Sequence, residues 1–168
     1  MSRPVAYDDI WPPALATRQA QRLQPRVRGY VTVHHIGSTA IPGLPAKPIL
    51  DLIPVFESDA AAAGADVEAM GYEWMAASGF TGRRSCRRSD PECGKRLVHA
   101  HRYVQGHADI RRHLAFRDAL RANTALRVAN SAVKGACAAR HPGGGDTYGT
   151  CKSAWIVKTG AKALERER

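Results

Sequence analysis

A single aspartate inside an apolar run is the tightest constraint on how this chain can fold. Ile49-Leu50-Asp51-Leu52-Ile53-Pro54-Val55-Phe56 reads as a buried β-strand. A carboxylate there is expensive to bury unless it is paired or bound to a cation. Upstream, Tyr30-Val31-Thr32-Val33 is β-branched and aromatic, hence a second strand, and Gly37-Ser38-Thr39 ends it. A Gly-Ser pair at the end of a strand lets backbone N–H groups and a hydroxyl approach a phosphate closely. Gly37 and Ser38 followed by Asp51 on the next strand give the layout of a phosphate cradle beside a divalent-cation ligand.

The rest of the chain supplies a frame for that pair. Trp11-Pro12-Pro13 opens a helix whose apolar positions continue to Val27, and Gly29 breaks it. After the Pro- and Gly-rich loop from Ile41 to Pro48, Ser58 or Asp59 caps a helix expected from Ala60 to Met70 and stopped by Gly71. Tyr72 to Met75 suggests a short strand, and Ala77 to Lys95 an irregular or hairpin-like excursion. Arg96 to Val104 is a further strand. Helices follow over Ala108–Ala122, Thr124–Arg140 and Thr147–Leu164. This order predicts an α/β (α+β) fold: one domain over residues 1–168, with a sheet core at about 28–105 and a helical part at about 107–165.

Charge narrows the partners. Of the 168 residues, 25 are basic and 15 acidic, a net +10, and 19 of the basic residues are Arg. Such an excess favours polyanions: nucleotides, phosphorylated metabolites or nucleic acid. No apolar stretch approaches the roughly 18 residues of a membrane span, and Met1-Ser2-Arg3-Pro4 has no signal-peptide core behind it. The expectation is a cytoplasmic protein with no membrane partner. Cys86, Cys93, Cys137 and Cys151 form no C-x-x-C pair. Cys86 and Cys93 with His99 and His101 could hold zinc, yet the spacing matches no common finger, and free buried thiols are expected.

The stretch from His34 to Leu52 closely resembles the signature of the GrpB family (UPF0157), His-Ile-Gly-Ser-Thr-Ala/Ser-Val-Pro-Gly-Leu-x-Ala-Lys-Pro-Ile-Ile-Asp-Ile. Other landmarks agree: Tyr7-Asp8 with Trp11-Pro12, His99-Ala100-His101 where the family tends to read His-Leu-His-Val, Leu114 to Arg121, and Tyr148 with Lys152. The resemblance implies a nucleotidyltransferase-like mixed sheet flanked by helices, with further C-terminal helices. Some relatives are fused to dephospho-coenzyme A kinase. That superfamily usually carries a second carboxylate two residues after the first, to hold two metals. Here Ile53 stands in its place, and Arg102 stands where an apolar residue is usual. Ser85 to Lys95 has no counterpart in the family pattern.

His99 and His101 offer a replacement for the missing acid. Two apart on a strand, they point to one face and can converge on one ion with Asp51, if the two strands are neighbours. Two imidazoles and a carboxylate suit Mn²⁺, Fe²⁺ or Zn²⁺ better than Mg²⁺. The bland alternative is a histidine that only hydrogen-bonds Asp51. Gly37, Ser38, Thr39, Lys47, Arg117, Tyr148 and Lys152 are the phosphate- or nucleotide-binding candidates, with His35 in support. Arg117 and Asp118, adjacent on a helix, are not expected to pair. The function expected is a metal-dependent enzyme acting on a nucleotide or phosphorylated ligand and a small acceptor, with Asp51, His99 and His101 at its centre. The rivals are a non-catalytic nucleotide- or RNA-binding module and a metal-dependent biosynthetic enzyme of different chemistry.

Overall fold

The strand carrying Asp51 lies between two others, with Leu52 and Ile53 both fully buried on its opposite faces. The computed structural model describes residues 28–75, 84–143 and 145–166, together with positions 18 and 21. The strands are β1 (Tyr30–Ile36), β2 (Leu50–Phe56), β3 (Glu73–Trp74), β4 (Arg84–Ser89) and β5 (Arg96–Val104). They form one sheet in the order β1-β2-β5-β4-β3. Only β2 and β5 run parallel; the other neighbours are antiparallel, so the sheet is mixed. The helices are α1 (Asp59–Ala63), α2 (Ala108–Ala122), α3 (Thr124–Arg140) and α4 (Gly145–Glu165). Two compact units result, residues 28–110 with the sheet and 111–166 with the long helices. Among the described residues no helix is long and apolar enough to cross a membrane.

Alternation sorts the sheet into two faces. Leu50, Leu52 and Phe56 of β2, Val98 and Ala100 of β5 and Cys86 of β4 share one face, packed with Ala62, Ala65, Val67 and Tyr72. Asp51, Ile53 and Val55 take the other face with their register partners His99 and Tyr103. On the packed face Arg102 is only 7% exposed. Its guanidinium pairs with Asp59 at 3.3 Å and lies 5.9 Å from the Trp74 ring. A cation therefore occupies a strand position where apolar residues are usual, with an acid and an aromatic face as partners.

The helix expected from Ala60 to Met70 stops at Ala63. Ser58 caps it as expected, accepting from the Ala61 N–H. Gly64 then ends it, and Asp66 takes the chain into a local turn by accepting from the Ala69 N–H at 3.0 Å. Glycine weakens a helix and an Asx turn competes with it. The excursion from Ala77 to Lys95 resolves in its second part into a hairpin of β4 and β5. Residues 76–83 and the helix expected from Trp11 to Val27 lie outside the described residues, apart from Arg18 and Gln21, which are helical.

The cysteines depart from the expectation of free buried thiols. Cys137 of α3 and Cys151 of α4 form a disulfide, with Cα atoms 5.8 Å apart. That separation lies within the range a disulfide can span. Cys93 is exposed in the β4–β5 turn, and only Cys86 is a buried free thiol. A zinc site joining Cys86 to His99 and His101 is excluded by the pleat. Cys86 pairs with Ala100 and so faces away from both histidines.

Candidate metal centre

Parallel pairing of β2 with β5 sets Asp51 beside His99, and His101 follows two residues along the same face. Nδ1 of His99 stands 3.7 Å from Oδ1 of Asp51, and the two imidazole rings are 4.2 Å apart. One ligand atom from each of the three residues lies within 4.8 Å of the others. Among the described residues they are the one group of acids, histidines and cysteines so placed. The Asp51 side chain is 34% exposed and that of His99 21%, so solutes can reach both, whereas His101 is buried.

Ser85 completes this arrangement, and sequence reasoning missed it. Its hydroxyl lies 3.1 Å from Nδ1 of His101 in a buried contact. Metal-binding histidines are typically oriented in this way, with one ring nitrogen held by a neighbour and the other left for the ion. The available signal was faint: Ser85 and Cys86 are the small, low-polarity pair within an arginine-rich stretch.

Gly37 closes the site from β1's end. It has φ 71° and ψ −170°, a conformation that side chains other than hydrogen rarely permit. A Cβ there would overlap the Asp51 carboxylate, reaching its Cβ at 2.9 Å and Cγ at 3.0 Å. The backbone thus comes as close to the carboxylate as glycine allows. A short 3₁₀ turn, Ser38–Ala40, follows. Two imidazoles, one of them oriented by Ser85, and one carboxylate beside a glycine-lined approach make a cluster able to coordinate a metal ion.

Other sequence candidates have different surroundings. Thr39 is buried, with its hydroxyl 2.9 Å from Nε2 of His35 and donating to the Ile49 carbonyl at 3.3 Å. These contacts tie the 3₁₀ turn to the entry of β2. His35 pairs with Leu52 across the sheet and so takes the face opposite Asp51. Ser38 and Lys47 are half-buried in the connection between β1 and β2. Arg117, Tyr148 and Lys152 belong to the helical unit. Contrary to expectation, Arg117 grips Asp118 through two hydrogen bonds of 2.8 and 2.9 Å, because a long guanidinium side chain folds back along the helix surface. This contact holds the Asp118 carboxyl below the usual carboxylate range. Lys152 lies over the Tyr148 ring at 4.9 Å, one helical turn away.

The model of the family described as GrpB protein matches residues 4–162. The chain belongs to the GrpB family. The conserved protein GrpB from Enterococcus faecalis is similar to it over 98% of this chain and 99% of that one, at 34% identity and a TM-score of 0.79. The UPF0157 protein YqkA of Bacillus subtilis is 38% identical over 138 residues, 81% of this chain but 39% of YqkA. A UPF0157 protein of Streptomyces coelicolor is 33% identical over 165 residues, covering 95% and 84% of the two chains. This GrpB-family chain thus spans well under half the length of YqkA.

More distant likeness places the fold. Cid1 in complex with its short product ApU matches 80% of this chain and 43% of Cid1, at 17% identity and a TM-score of 0.55. A cytoplasmic RNA terminal U-transferase matches 82% and 44%, at 18% identity and a TM-score of 0.53. At such identity the likeness concerns architecture alone: the fold is related to that of nucleotidyltransferases, and it carries a candidate metal-coordinating cluster.

Proposed function

We propose that this GrpB-family chain is a metal-dependent enzyme acting on a nucleotide or phosphorylated ligand and a small acceptor. The convergence of Asp51, His99 and His101 within 4.8 Å carries the reading. These three would hold the ion, which when bound supplies charge neutralisation at phosphate oxygens. Ser85 would keep His101 oriented, and Gly37 with Ser38 would present N–H groups and a hydroxyl to the phosphate. Lys47 would add a point charge on the same connection. The nucleotide as substrate class is supported by the fold shared with Cid1.

Ile53 favours a second reading. It is fully buried two residues beyond Asp51 on the same face, where a two-metal site needs its second acid. A binding module that keeps the cradle without turnover would tolerate that substitution, whereas an enzyme must work with one ion and imidazoles.

Calorimetric titration of Mn²⁺ and Zn²⁺, with and without nucleotide, tests the site. Asp51→Asn removes a ligand charge while keeping shape, and ion affinity should fall by about 100-fold or more. His99→Ala and His101→Ala should each weaken the same ion, and the double variant should lose little more, because ligands act as a unit. Ser85→Ala should cost about 10–100-fold. Unchanged ion binding in Asp51→Asn ends the metal reading. Metal-linked nucleotide binding without consumption of nucleotide, across a panel of small acceptors, selects the binding module.

A further inference from the structure

The helical unit holds a groove separate from the Asp51 cluster. It encloses about 650 Å³ between α2, α3 and α4, within the range of small-molecule sites. Ala115, Ala119 and Ala122 of α2, Leu126 of α3 and Trp155 and Ala163 of α4 give it an apolar lining. Alanines at facing positions leave the space open, and Trp155 is braced edge-on against Phe116 at 6.1 Å. The rim carries Lys158, Lys162 and Arg166. Their i, i+4, i+8 spacing puts all three on one side, and all are exposed.

The groove's charge is not balanced from within. Its acid, Asp118, is already engaged by Arg117 at 2.8 Å and Arg121 at 3.4 Å. Asn123 is likewise occupied, its Oδ1 accepting from the Leu126 N–H to cap α3. The Thr159 hydroxyl and the Asn123 amide N–H₂ are uncharged polar side-chain groups left in the lining to read a base or a sugar, whereas apolar surface and positive charge lie side by side. We propose that this groove binds a small amphipathic anion, an acyl or aryl chain ending in a carboxylate or phosphate. The chain would lie on the alanine, leucine and tryptophan lining, and the head would meet Lys158, Lys162 and Arg166.

Calorimetry on the full chain with decanoate, decyl phosphate, decanol, inorganic phosphate and AMP tests this. The two amphipathic anions should bind saturably at one site, and the tighter of them identifies the head group. Decanol should bind at least about tenfold more weakly, since it lacks the charge that the rim attracts. Reversing two exposed charges with Lys158→Glu and Lys162→Glu should weaken decanoate by about tenfold or more without disturbing the fold. Ala119→Phe, which fills the groove, should abolish binding. Asp51→Asn should leave decanoate binding unchanged, so this site and the metal reading stand or fall separately. Equal affinity for decanol and decanoate, tighter binding of AMP, or indifference to the Lys158 and Lys162 changes would each overturn the proposal.

Discussion

Gly37 shows how much one residue can carry in this molecule. Two independent costs meet there: a backbone conformation reserved for glycine, at φ 71° and ψ −170°, and a carboxylate in the space a Cβ would need. Gly43 separates them, because at φ 74° it has nothing within 4 Å of a Cβ position. Gly43→Ala should therefore cost only the conformational penalty, about 1–2 kcal/mol. Gly37→Ala should cost that and more, about 3 kcal/mol or above, since Asp51 must move as well. Denaturant melts of the two variants check the difference, and a Mn²⁺ titration of Gly37→Ala should show weakened binding. Equal destabilisation in both would mean that the close approach to Asp51 has no energetic weight.

Elements differed in how plainly the residues announced them. β5 and the helices α2 and α3 follow their patterns to the boundary, because alternation, Asn123 as cap and the stop at His141-Pro142 all agree. The candidate metal-coordinating cluster was legible for a related reason. Asp51 in an apolar strand and His99-x-His101 on another each fix a face, and only the adjacency of β2 and β5 had to be supplied by folding. β4 was hidden by composition: Arg84, Arg87 and Arg88 belong to a strand whose inward contribution is just Ser85 and Cys86. Ser85 was lost with it. The overlong expectation for α1 weighed a run of alanines above Gly64 and Asp66, which redirect the backbone.

At the element scale, the buried Cys86 thiol gives β4 an expected alkaline pH dependence. Burial among Leu52, Val98 and Ala100 pushes its thiol from 9.0 up to about 12, although the Arg102 charge opposes the shift. In the unfolded chain the thiol ionises near 9.0, whereas the native state keeps its proton until about 12. The native form thus binds more protons across that interval, and stability falls as pH rises through it; below pH 9 the effect vanishes. By pH 10 the loss should be about 1.4 kcal/mol. Cys86→Ala lowers stability throughout but should remove this slope, so urea midpoints of the two proteins should converge between pH 8 and 10. Parallel pH profiles would show that the thiol ionises freely in the native state.

At the scale of the whole molecule, the net charge of +10 can serve either a compact ligand or a long one. Several cations are already engaged by the chain's own acids: Arg87 with Glu73, Arg102 with Asp59, and Arg117 and Arg121 with Asp118. Arg84 lies 5.6 Å from the Trp74 ring. Arg84 and Arg87 share β4, with Arg84 opposite Arg102 of β5, and Arg117 and Arg121 share α2; the contacts above engage each of these cations within the chain itself. Binding of a single nucleotide with Mn²⁺ should therefore depend weakly on salt, with a log–log slope of about −2 or shallower for two or three contacts. An RNA tract held through seven phosphates would give about −5. The comparison is a nucleoside triphosphate against oligo(U), each titrated in KCl from roughly 50 to 300 mM. Asp51→Asn supplies the second axis, since it should weaken the metal-linked nucleotide and leave a purely electrostatic RNA contact unchanged. A steep slope for RNA, tight binding at the higher salt and indifference to Asp51→Asn would together assign the charge to nucleic acid and overturn the small-ligand reading.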